Sequence, residues 1–206
     1  MKIVIVDYKM GNIHSVARKL TLLGIDFIIS DKANEIINAD KLILPGVGHF
    51  GKAMKQLEET NLIGALNEAV IIRKKPIIGI CLGMQLMAKF SEEGNTVGLG
   101  WFDAKVVSFK VKDKLRFKVP HTGWNNVLFK KESAINNLLP LNPEFYFVHA
   151  YHFVPDNPSD VLHTTIYENE FVSAIQRENI VGVQYHPEKS HDAGIQLIKN
   201  FIFDFN

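Results

Sequence analysis

Four short apolar runs alternate with stretches of helical period in the first part of the chain, and this rhythm constrains the fold more than any other feature. Ile3 to Val6 is apolar without interruption, as expected of a strand covered on both faces. Phe27-Ile28-Ile29, Leu42-Ile43-Leu44 and Ile77 to Ile80 have the same character, with Pro45-Gly46 ending the third run. Between them, Val16, Leu20 and Leu23 fall at helical spacing, and Gly24 supplies a stop. Met54 to Ile72 is helical with a break at Thr60-Asn61, where Asn61 is placed to cap a new helix before Leu62. Strands alternating with helices predict a doubly wound, flavodoxin-like α/β fold with a mostly parallel central sheet. From Gly98 onward the strand runs lie closer together, predicting additional antiparallel strands, and Ile195 to Ile202 makes a last helix. Phe201, Phe203 and Phe205 alternate near the end and are assigned to packing. With no repeat, low-complexity tract or Pro/Gly linker, residues 1–206 are expected to form one domain.

Bulk properties narrow the partners. A net charge of +1, from 23 basic and 22 acidic residues, gives no reason to expect nucleic acid or an anionic membrane as partner. The eight histidines are dispersed without metal-ligand spacing, so no metal is expected. A single cysteine excludes an internal disulfide. The apolar run at the N-terminus is too short for a signal-peptide core, and no stretch approaches the roughly 18 apolar residues of a membrane span. A cytoplasmic chain is expected.

That cysteine sits at a forced turn. Pro76-Ile77-Ile78 is strand-like, Gly79-Ile80-Cys81-Leu82-Gly83 follows, and Met84 to Ala88 is helix-like. Glycines two residues either side of a nucleophile let the chain turn sharply and let neighbouring segments approach. The thiol then lies at a helix N-terminus, where free N–H groups favour a thiolate. A lone cysteine taken by itself is equally well a buried small hydrophobe. Downstream runs Gln184-Tyr185-His186-Pro187-Glu188. Pro187 holds His186 extended, and residues i and i+2 of an extended segment share a side, so Glu188 can orient the imidazole. Alone, this segment reads equally as a polar surface turn. Together, the two segments supply a nucleophile, a base and an orienting carboxylate.

Gly-Ile-Cys-Leu-Gly-Met-Gln at 79–85 and Gln-Tyr-His-Pro-Glu at 184–188 resemble the two signatures of the class I, triad-type glutamine amidotransferases. Gly11-Asn12, Pro45-Gly46-Val47-Gly48, Pro120 to Asn125 and Tyr146 to Tyr151 are similar, in order and over essentially the whole chain, to the glutaminase subunits of imidazole glycerol phosphate synthases. Two positions depart from that pattern: Lys9 stands where a small residue is common, and Thr122 where a bulkier apolar one is.

The resemblance implies hydrolysis of L-glutamine to L-glutamate and ammonia through a Cys81 thioester, with His186 and Glu188 completing the triad and no cofactor. It implies oxyanion donors at Leu82 and at Val47-Gly48, where two flanking glycines permit a peptide flip that gates the site. It places the substrate against Gly48, Gln85, His149, Ala150 and Tyr151. Asn12, Trp124, Tyr146 and Lys189 become contacts to a cyclase-type barrel synthase subunit, the heterodimer partner that takes up the ammonia in histidine biosynthesis. Lys9 and Thr122 keep open a paralogous subunit supplying ammonia for amidination of a surface-glycan sugar. A cysteine hydrolase or peptidase of similar fold, or a silent scaffold, is the more distant alternative.

Overall fold

The computed structural model describes residues 1–205. The strands are β1 (Ile3–Val6), β2 (Ile28–Ser30), β3 (Lys41–Gly46), β4 (Ile77–Cys81), β5 (Ala88–Ser91), β6 (Thr96–Val97) and β7 (Phe102–Ser108). They continue with β8 (His121–Asn126), β9 (Leu128–Phe129), β10 (Glu144–His149), β11 (Tyr151–Pro155), β12 (Val161–Tyr167), β13 (Asn169–Arg177) and β14 (Ile180–Val183). The α-helices are α1 (Ile13–Leu22), α2 (Ala33–Ile37), α3 (Phe50–Glu59), α4 (Leu62–Asn67), α5 (Leu82–Gln85) and α6 (His191–Lys199).

Among the described residues, twelve strands share one sheet, its main path running β2-β1-β3-β4-β14-β13-β11-β7-β5-β6. The half from β2 to β14 is parallel throughout. β13 then reverses direction against β14 and opens a half that is antiparallel except for the parallel β5–β7 pair. β8 and β10 pair separately as an antiparallel ribbon. This is the doubly wound, flavodoxin-like sheet that the alternation predicts, extended by antiparallel strands.

Every residue of β1, β3, β4 and β14 is buried, because helices cover both faces of the parallel half. Alternate side chains therefore feed two separate cores. Val4, Val6, Leu42 and Leu44 pack with Phe50, Ala53, Met54 and Leu57 of α3. Ile3, Ile5 and Ile43 pack on the other side with Val16 and Leu20 of α1 and Leu197 and Phe201 near the C-terminus. No helix among the described residues is long and apolar enough to cross a membrane.

Several local expectations are corrected. β3 continues through Pro45-Gly46, which pair with Ile80 and Cys81; its pairing with β1 ends at Ile43, so the proline's missing donor faces no partner strand on that side. Asn61 does not cap α4 with its side chain. It adopts a left-handed φ of 55°, and its N–H closes the end of α3 on the Glu58 carbonyl. The helix after Cys81 stops at Gln85 rather than Ala88: the Met87 N–H turns to the Met84 carbonyl, and Ala88 enters β5 beside Phe102. α2 escapes the sequence because five residues carry too little periodicity to read. Packing accounts for Phe201 and Phe205, which are buried and stacked, but Phe203 is exposed.

Candidate active site

β4 runs directly into α5, and Cys81 occupies the junction with φ 54° and ψ −110°. This is a strained conformation for a residue with a Cβ and costs about 1–3 kcal/mol. Close packing holds it in place. A Cβ on Gly83 would lie 1.9 Å from the Leu44 carbonyl oxygen, so only glycine lets α5 sit this near β3. As the first residue of α5, Leu82 has an N–H without a carbonyl one turn back and can serve a ligand. With one turn, α5 offers donors rather than a long dipole. The Cys81 sulfur accepts from Gln184 Nε2 at 3.6 Å and lies 4.0 Å from the Val148 carbonyl.

His186 follows β14, next to β4 in the sheet, so neighbouring strands deliver nucleophile and base to one end. Its Nδ1 pairs with Glu188 Oε1 at 2.8 Å. The local geometry differs from the expected extended i, i+2 pair. His186 itself is extended, but Pro187–Lys189 forms a 3-10 turn that folds the carboxylate back onto the ring. His186 Nε2 has no hydrogen-bond partner among the described residues and is free to move a proton. Burial works against its charge, yet the Cys81 sulfur and the Glu188 carboxylate outweigh that and raise the imidazole pKa to about 10.

A cavity of about 280 Å³ opens over these groups. Val47, Gly48, Cys81, Leu82, Gln85, His149, Ala150, Tyr151 and His186 all line it, so residues far apart in sequence meet here. Glu188 stands behind His186, outside the lining. Glu93, Pro120 and Val148 also line the cavity; Pro120 and Val148 fall in the Pro120 to Asn125 and Tyr146 to Tyr151 motifs, whereas the sequence predicts no site role for Glu93. Glu93 has no motif around it; its carboxylate accepts from the Phe50 N–H at 2.7 Å, which anchors it at the start of α3.

Several lining groups are already engaged. His149 Nδ1 meets the Tyr151 carbonyl at 2.8 Å and its Nε2 meets His121 Nδ1 at 3.1 Å, so its imidazole is a wall rather than a free contact. Burial pushes His149 down to about 3 and His121 to about 4, so both rings are neutral. The Ala150 carbonyl accepts from the Phe109 N–H. Gly48, at φ +104°, is exposed beside Val47, and a Cβ there would lie 3.3 Å from Met10 Cε.

Trp124, Tyr146 and Lys189 lie outside the cavity on one adjoining face. Trp124 pairs across the ribbon with Tyr146 and stacks on His191 at 4.7 Å, while the Lys189 ammonium stands over the Tyr146 ring. Asn12 precedes α1, which packs against the Pro187–Lys189 turn. Among the described residues, no group of three or more His, Cys, Asp or Glu is arranged to hold a metal.

The family model for class-I glutamine amidotransferases matches residues 4–205. The chain belongs to that family. Among curated relatives, it is 48% identical over 200 residues to imidazole glycerol phosphate synthase subunit HisH 2 of Methanococcus maripaludis, covering 97% of this chain and 98% of the relative. It is 45% identical to the protein of the same name from Pseudomonas aeruginosa, with the same coverage. Among solved structures, a glutamine amidotransferase from Thermotoga maritima superposes with a TM-score of 0.65 at 16% identity, covering 98% of this chain and 82% of that one. That likeness concerns the fold alone. Within this class-I amidotransferase, Cys81 and the His186–Glu188 pair occupy the two signature segments.

Proposed function

We propose that this chain is the glutamine-hydrolysing subunit of an imidazole glycerol phosphate synthase, working in the cytoplasm as one class-I domain beside a cyclase-type barrel subunit in histidine biosynthesis. The observation that carries the chemistry is the meeting of a strained cysteine with a Glu188-oriented His186 at one cavity. The full-length relatives named as subunits of that synthase support the pathway.

Because the His186 pKa stands at about 10, the imidazole carries a proton to donate at neutral pH. Cys81 attacks the carboxamide carbon of glutamine, and the oxygen's developing charge is met by the Leu82 N–H and by a backbone N–H from Val47-Gly48. His186 then gives its proton to the departing nitrogen, releasing ammonia and leaving a glutamyl thioester. Water attacks the thioester with His186 as base, which yields glutamate and restores the thiolate. Glu93 is the one carboxylate lining the cavity and is suited to the substrate's ammonium group. Gln85, Gly48 and the 149–151 strand form the remaining wall. Val148 lines the cavity and pairs with Thr122 two residues from Trp124, so the cavity lies close to the side where Asn12, Trp124, Tyr146 and Lys189 would meet the barrel.

Glutamate release from glutamine, measured with and without the chain's own barrel partner, tests the chemistry; no release under either condition would reject it. A second reading keeps the chemistry and changes the acceptor to a surface-glycan sugar pathway. It is favoured by Lys9, held between Asp7 and Asp31 at 3.0 and 3.1 Å, and by Thr122 on the Trp124 face, since both alter a surface the partner reads. Growth of a histidine auxotroph on the gene plus its barrel partner supports the histidine pathway, and failure with intact glutaminase activity supports the other.

A further inference from the structure

A chain of buried amides leads from the cavity wall to the nucleophile. The Tyr151 carbonyl accepts from Gln85 Nε2 at 3.1 Å, and the same Nε2 donates to Gln184 Oε1 at 2.9 Å. Gln184 is fully buried, and its Nε2 reaches the Cys81 sulfur at 3.6 Å. The direction of every bond in this chain follows from its first member. A backbone carbonyl can only accept, so Gln85 must turn its NH₂ toward Tyr151. Gln184 must then present its oxygen to Gln85, which leaves its NH₂ facing the sulfur.

The Tyr151 carbonyl is itself fixed from a second direction. His149 Nδ1 donates to it, His149 Nε2 accepts from His121 Nδ1, and Asn125 Nδ2, oriented by the Ile166 carbonyl, stands 3.5 Å from His121 Nε2. Both of its lone-pair positions are therefore used, one by Gln85 and one by His149.

We propose that Gln184 is a positioning residue for the nucleophile: its side-chain N–H, aimed at Cys81 by the Tyr151 carbonyl through Gln85, holds the sulfur in place and favours its thiolate form. A thiol needs no donor, whereas a thiolate is stabilised by one, so this contact distinguishes the two states. The proposal rests on Cys81 being the nucleophile, but it can be tested without glutamine, without turnover and without the partner.

The chain contains one cysteine, so alkylation by iodoacetamide reports on Cys81 alone. In Gln184→Glu the oxygen that accepts from Gln85 is kept, and the N–H at the sulfur is replaced by a second carboxylate oxygen. Alkylation at neutral pH should fall about tenfold, the effect of roughly one hydrogen bond on the thiolate, and its pH profile should move to higher pH. Gln184→Met removes the N–H without adding charge and should slow alkylation several-fold in a chain that remains folded by circular dichroism. If Gln184 only fills space, the folded variants will alkylate at the parent rate with the parent pH profile, and that result overturns the proposal. Failure of the underlying reading has its own signature, glutamine hydrolysis surviving in Cys81→Ala.

Discussion

The His186 amide donates to the Tyr146 carbonyl at 2.9 Å, so this histidine hangs from the strand whose outer side carries the half-buried Tyr146 ring facing Trp124. Ser190 doubles the link: its hydroxyl donates to the His186 carbonyl and accepts from the Tyr146 N–H at 3.0 Å. The β8–β10 ribbon is therefore tied to His186 twice, by a direct backbone bond and through the Ser190 hydroxyl. A partner binding at Trp124 has a direct mechanical route to the catalytic base.

Trp124 is 41% exposed and rests flat on His191, which makes it a preorganised aromatic anchor. Trp124→Ala should weaken binding of the barrel partner by about 2 kcal/mol, roughly thirtyfold in Kd, with little change in the melting temperature of the isolated chain. Titration calorimetry against the partner checks the first expectation, and a thermal melt checks the second.

Cys81→Ala should abolish glutamine hydrolysis while leaving partner binding and use of free ammonia by the partner intact. Cys81→Gly should be equally inactive but more stable than the alanine variant, by about 1 kcal/mol. Glycine removes the backbone strain at φ 54°, and this outweighs its greater freedom in the unfolded chain. Urea unfolding of the two variants decides the sign.

In the proposed chemistry Cys81 and His186 act as one proton-transfer unit, so their effects on rate should not multiply. Once either is replaced by alanine, the second substitution should cost little more. Single-turnover glutamate release from both single variants and the double variant checks this; a double variant slower by the product of the single losses would show that the two act independently.

Glu188→Gln should slow hydrolysis on the order of 10- to 100-fold, less than loss of the base itself. It should also change the pH dependence of stability. The folded His186 pKa of about 10 lies above its ordinary 6.5, so the stabilisation is fully present below pH 6.5 and is lost as pH rises through 10. Removing the carboxylate lowers the folded pKa and shrinks that contribution. The variant's urea midpoint should fall furthest below the parent's at pH 6.5 and under, and the gap should close as pH approaches 10.

Gly48 holds φ +104° in the exposed turn beside Val47, where a flip of the peptide would present or withdraw an oxyanion donor. The isolated chain should hydrolyse glutamine only slowly and be activated by a liganded partner. Gly48→Ala, strained in this conformation, should lower the activated rate on the order of 100-fold without unfolding the chain. Glutamate release with and without the partner measures both effects, and full turnover by the chain alone would argue against a gate.

The parallel half of the sheet was legible because its strands are buried on both faces, and continuous apolar runs such as Ile3 to Val6 have few other readings. The turn at Cys81 was legible because a turn this tight demands glycine, and a Cβ on Gly83 would lie 1.9 Å from the Leu44 carbonyl oxygen. Other features needed the fold. The one-turn length of α5 follows from Ala88 pairing with Phe102 of β7, which draws the chain into β5 straight after the turn. His186 and Glu188 meet through a 3-10 turn, although an extended segment was the natural reading of His-Pro-Glu. Glu93 carried no local signal of a role at the site, because a lone carboxylate has the same appearance in sequence wherever it points. The sequence by itself determined the parallel sheet and the glycine-flanked turn at Cys81, since each rests on contacts or backbone angles that only certain residue types allow. Tertiary structure decided which polar groups face the sulfur and which are already engaged, because hydrogen-bond direction is a property of neighbours brought together only by folding.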